Sequence, residues 1–96
     1  MKVVLLNGFQ ITDRAQLHLQ LARVLELPEW YGGNLDALLD CLSDPCPPTV
    51  LQILGMDGLE GALGADYADS LRRVLTRAHR DNPSFRALWD EPKAEE

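Results

Sequence analysis

Three short apolar runs constrain the fold of this chain more than any other feature. Val3-Val4-Leu5-Leu6, Thr49 to Leu54 and Phe85 to Trp89 each have the length and residue types of a strand. The segments between them are far too long for hairpins, and each carries two helical patterns. Strands that return through helices pair in parallel, and each crossover should be right-handed. The 96 residues are therefore expected to form one α/β domain, with a three-stranded parallel sheet flanked by about four helices. The continuous apolar character of the first two runs suits buried strands.

Local signals place the helices. Asn7-Gly8 makes a turn after the first strand. Thr12 or Asp13 can cap the next helix, and Asp13 with Gln16 fits the capping pattern. Leu17, Leu21, Val24 and Leu25 share its apolar face, and Pro28 should stop it just after Leu27. Gly32-Gly33 makes a flexible turn and Asn34 is a good N-cap. Leu35, Leu38, Leu39 and Leu42 follow at amphipathic helical spacing. Pro45, Pro47 and Pro48 predict a rigid loop. Asp57 to Leu63 reads as a short helix or loop between Gly55 and Gly64. A longer helix runs from Asp66 to about Arg80, with Tyr67, Leu71, Val74, Leu75 and Ala78 on one face, and Asn82-Pro83 ends it. The domain is expected to cover residues 1–90, and the acidic segment 91–96 reads as a solvated tail.

Charge narrows the function. The net charge is −6 and the sequence pI about 4.7. Such a chain is a poor direct ligand for nucleic acid, whose phosphates it would repel. A cationic protein is the better partner, because opposite charge speeds encounter. The N-terminal apolar run is too short for a signal-peptide core, and no run approaches the length of a membrane span. A cytoplasmic location with reduced Cys41 and Cys46 is expected. Two cysteines and two distant histidines do not make a zinc site, and nothing calls for a cofactor.

The segment Leu27 to Leu42 is the candidate site. On a helical wheel Leu35, Leu38 and Leu42 centre the apolar face. Asp36 and Asp40 share a neighbouring stripe, and Leu39 lies at the border. Like charges one turn apart destabilise a helix by roughly 0.2–0.5 kcal/mol. Asp36, in the first turn, is favoured by the helix dipole, whereas Asp40 is not. A cationic ligand would explain why Asp40 stands there. Trp30 and Tyr31 precede the helix on a glycine-rich loop, so aromatic rings and acids stand together as in an interface hot spot. One of the two rings should anchor in the core. Catalysis is not expected. Two Asp in one wet environment lack the separated pKa values of an acid–base pair. His18 and His79 read as surface residues, and no nucleophile or phosphate-loop motif is present. Arg14 is placed on a helix far from this segment, and Cys41 reads as a packed thiol.

These residues resemble the barstar family, intracellular inhibitors of the bacterial ribonuclease barnase. The motif Leu-Pro-Glu-aromatic-Tyr-Gly-x-Asn-Leu-Asp-Ala-Leu-x-Asp-Cys-Leu is met by Leu27 through Leu42. The resemblance implies a small α/β inhibitor whose second helix and preceding loop plug a ribonuclease active site in a 1:1 complex. It implies that Asp40 takes the place of an RNA phosphate, with Asp36 beside it. Trp30 would pack on the enzyme's active-site surface, and Gly32, Asn34 and Leu35 would give loop contacts. Two positions depart from the pattern. Barstar has Trp where this chain has Leu39, and Glu where it has Arg77. Arg73, Arg77 and Arg80 form a basic stripe, which implies a toxin different from barnase. A module of the same fold with a non-ribonuclease partner is the alternative reading.

Overall fold

The structure is a computed structural model and describes residues 2–44 and 48–89. The elements follow in the order β1 (Lys2–Asn7), a 3-10 turn (Gly8–Gln10), α1 (Arg14–Leu25), α2 (Leu35–Ser43), β2 (Thr49–Leu54), α3 (Met56–Leu63), α4 (Ala65–Asp81) and β3 (Phe85–Trp89). The sheet has three strands in the order β1-β2-β3, parallel throughout, with Val3 opposite Val50 and Val50 opposite Arg86. The α/β architecture with four α-helices is thus the one the sequence predicts. The acidic tail, Cys46 and the prolines at 45 and 47 lie outside the described residues.

The sheet corrects one expectation. Side chains alternate across each strand. Leu6, Leu51, Ile53 and Phe85 are buried, while Val3, Leu5, Leu54 and Leu88 are exposed. Among the described residues, the strands are therefore covered on one face only. A parallel sheet is more often covered on both, and the apolar runs read the same in either case. With strands in sequential order, crossovers of one hand put all the helices on one face.

The core lies between that covered face and the helices. Leu17 and Leu21 of α1, Leu38 and Leu42 of α2, Met56 and Leu59 of α3, and Leu71, Leu75 and Ala78 of α4 meet Leu51, Ile53 and Phe85. Helix ends mostly follow their local signals. Asp13 accepts from the Gln16 N–H at 2.8 Å, and Asn34 caps α2 by accepting from Ala37 N–H at 2.8 Å. The end of α1 differs. The helix stops at Leu25, before Pro28 acts, because Glu26 adopts the left-handed conformation at φ 55°. The Leu27 N–H then closes onto the Ala22 carbonyl at 3.0 Å. Lys2 Nζ bonds the Glu26 carboxylate at 2.8 Å and holds its pKa below the usual value.

Helices α2 and α4 lie side by side and run the same way. Near their starts, Tyr67 of α4 borders a depression with Asn34, Leu35 and Asp36. Near their ends, the buried Asn82 side chain donates to the carbonyls of Leu42 at 3.0 Å and Asp44 at 2.9 Å. This parallel pairing sets which α4 residues are level with which part of α2.

Candidate functional site

Pro28 to Gly33 forms the loop between α1 and α2. Its turn is closed by the Tyr31 N–H, which donates to the Pro28 carbonyl at 3.0 Å. Gly33 has φ 70°, a conformation that glycine adopts without strain. The chain is thereby delivered to Asn34 in the extended conformation an N-cap requires. The two rings of the loop part company. Trp30 is 68% exposed, while Tyr31 packs against the core. One anchor and one presented ring is the arrangement the sequence predicts.

On α2, Leu38 and Leu42 are buried, Leu35 and Leu39 are half-buried, and Asp36 and Asp40 are exposed. Leu38, Leu42 and the two acids fall where the wheel puts them, whereas Leu35, placed at the apolar centre, is half-buried like the border Leu39. Neither Asp36 nor Asp40 has an ion-pair partner among the described residues. α2 and the loop before it thus present two carboxylates without an ion-pair partner among the described residues, a half-buried leucine and an open indole. Gly32 is exposed, and a Cβ there would sit 3.3 Å from the Asn34 amide nitrogen. A side chain at this position would crowd the group that caps α2.

Arg77 sits apart from the loop. It is level with the middle of α2, because Asn82, about 7.5 Å further along the axis, meets Leu42 and Asp44. On a wheel of about 100° per residue, Arg72 points to the α3 side, where it pairs with Glu60. Arg77 lies on the opposite flank, with Tyr67 and Val74. Its guanidinium pairs with Asp81 at 3.8 Å, and Arg73 pairs with Asp69 at 2.9 Å. The basic stripe is therefore partly neutralised within its own helix.

Two sequence expectations fail here. His18 is only 5% exposed. It is not a surface residue but a hub: Nδ1 bonds the Tyr31 hydroxyl, and Nε2 lies 2.7 Å from the Tyr67 hydroxyl. Burial lowers its pKa and raises those of Tyr31 and Tyr67, so all three groups are held neutral. Arg14 is not remote either. Its guanidinium stacks over the Tyr67 ring at 4.1 Å and borders the depression formed with Gly33, Asn34, Leu35 and Asp36. The missed contacts link residues distant in sequence, and no local pattern signals them.

On the other side of the loop, Trp30, Leu27, Pro28, Cys41 and Phe85 border a groove of about 330 Å³. Cys41 is half-buried. Burial raises its thiol pKa, and the charges of Asp44 and Asp40 add to this, so the thiol is protonated and unreactive at neutral pH. Among the described residues, no group of three His, Cys, Asp or Glu could hold a metal ion, and no helix is long and apolar enough to cross a membrane.

The sequence matches the family model "Barstar (barnase inhibitor)" over residues 1–90. It is also 32% identical, over 82 residues, to a Bacillus subtilis (strain 168) protein named "Putative ribonuclease inhibitor YrdF", covering 84% of this chain and 89% of that protein. With the motif, the sheet order and this match over nearly its whole length, the chain belongs to the barstar family.

Proposed function

We propose that this protein is a non-catalytic ribonuclease inhibitor, the cytoplasmic immunity partner of a cationic toxic ribonuclease, which it blocks in a 1:1 complex. Family membership and the name of the Bacillus relative support a ribonuclease-inhibitor role in general. The observations that carry the finer reading are the exposed Asp36–Asp40 stripe, without an ion-pair partner among the described residues, and the open Trp30 ring on the loop that leads into α2. An enzyme that binds RNA must present cations in its active site. Asp40 would occupy a phosphate position among them, Asp36 would extend the negative field, and Trp30 would cover the base-binding surface. Tyr31, Gly32, Asn34 and Leu35 would shape and support the loop, and Leu39 would add a small apolar contact. This division, a few anchors within a charged rim, is how tight interfaces concentrate their energy.

The test is inhibition of RNA cleavage. Equimolar protein should abolish cleavage by a barnase-type ribonuclease, and Asp40→Ala should not. Full cleavage in the presence of excess wild-type protein would count against the proposal. A second reading, a binding module with a non-ribonuclease partner, draws on Arg77 being level with the middle of α2. A cation there would repel a basic enzyme surface, so an acidic group on the partner should face it.

A further inference from the structure

His18 and Tyr67, which with Tyr31 form a tyrosine–histidine–tyrosine chain behind the loop, have no part in the contact surface just described, and such a chain is an unusual thing to bury. An imidazole in a core is unfavourable unless both nitrogens are satisfied. Leu17 and Leu21, its neighbours on α1, fill the core without any such requirement. The partners of His18 come from two other elements, Tyr31 from the loop and Tyr67 from α4. The Arg14 guanidinium, stacked on the outer face of Tyr67, fixes the far end of the chain. Tyr31 is also the anchored ring of the loop, next to the exposed Trp30. We propose that His18 and Tyr67 are positioning residues for the inhibitory loop, clamping the Tyr31 hydroxyl so that Trp30 and the start of α2 are preset for the ribonuclease. The inference rests on the inhibitor reading above.

Such a clamp acts by preorganisation. The loop has exposed glycines at 32 and 33, and one backbone hydrogen bond closes its turn. Without the clamp, the freedom of those residues would have to be removed at the moment of association, and affinity would fall. Satisfied buried polar networks fix one geometry where apolar packing tolerates several.

The experiment compares His18→Phe, which keeps the bulk and loses both nitrogens, with His18→Gln, which keeps a donor and an acceptor. Hydrogen exchange of the Tyr31 amide reports the loop turn in the free protein. The amides of Leu51 and Ile53 in the central strand report global opening. In His18→Phe the Tyr31 amide should exchange at least tenfold faster than any change at Leu51 and Ile53 accounts for. Binding to a barnase-type ribonuclease should weaken at least tenfold, and His18→Gln should recover most of both. Equal acceleration at all three amides, or none at Tyr31, would overturn the clamp. If His18→Phe does not fold, Tyr67→Phe, which removes one hydroxyl, carries the same expectation at about threefold. Selective loosening of the loop without ribonuclease binding by the wild type would refute the inhibitor reading and its link to the clamp, leaving the loop contact itself in place.

Discussion

Asp40→Ala should make the free protein more stable while making it a worse inhibitor. Asp40 is exposed in the C-terminal half of α2, one turn after Asp36, with no cation paired to it among the described residues. Alanine removes a like-charge repulsion of about 0.2–0.5 kcal/mol. It also gains up to about 0.7 kcal/mol in helix propensity and relieves an anion at the wrong end of the dipole. The gain is about 1 kcal/mol, which for a domain of this size raises the Tm by about 4–8 °C. Against a cationic ribonuclease the same substitution should cost more than about 2 kcal/mol, roughly 30-fold in Kd. Thermal unfolding and binding of one preparation give both numbers. Asp36→Ala is the contrast, because the first-turn dipole favours its charge, and it should bring little or no gain in Tm. A lower Tm for Asp40→Ala would refute the reasoning, since it would mean that the carboxylate is held by the fold.

Other outcomes follow from the same geometry. Raising salt should slow association with a cationic partner, because steering is screened; a salt-independent on-rate would argue against charge complementarity. His18 is held below its usual pKa of 6.5, so the unfolded chain takes up its proton first as pH falls. Stability should therefore be constant in this term above about pH 6.5 and decline below it. The Tm of wild type should drop between pH 6.5 and 5 more steeply than that of His18→Gln, and equal slopes would contradict this. Gly8→Ala would place a Cβ 2.3 Å from the Gly55 carbonyl oxygen, a backbone atom, and should destabilise by about 1–3 kcal/mol. Gly61→Ala in α3 meets nothing within 4 Å and should instead stabilise by about 0.5–1 kcal/mol; denaturant unfolding separates the two.

What could be read from the sequence was what is written locally. The Asn34 cap, the leucine spacing of α2 and the exposed acid stripe depend on residues within two turns of each other, and the structure agrees with each. The split between Trp30 and Tyr31 was legible as a pair of roles, though not as which ring takes which. The misreadings share a cause. His18 meets Tyr31 and Tyr67 across separations of 13 and 49 residues, so nothing near it distinguished a buried hub from a surface histidine. Arg14 meets the Tyr67 ring of α4 and with it borders the depression at the start of α2, contacts that nothing near Arg14 in the sequence signals. The end of α1 was misplaced because Pro28 is a visible stop signal, whereas a glutamate in the left-handed conformation at 26 is not. The open sheet face was hidden by composition, since Val3, Leu5 and Leu54 look like core residues on any strand.

Inhibition turns on one contact surface, so the most direct measurement is calorimetric titration of wild type and Asp40→Ala with a barnase-type ribonuclease. Tight one-to-one binding by the wild type, weakened at least 30-fold in a variant whose Tm has risen, is the predicted result. Absence of binding by the wild type, or equal binding by both, would contradict it.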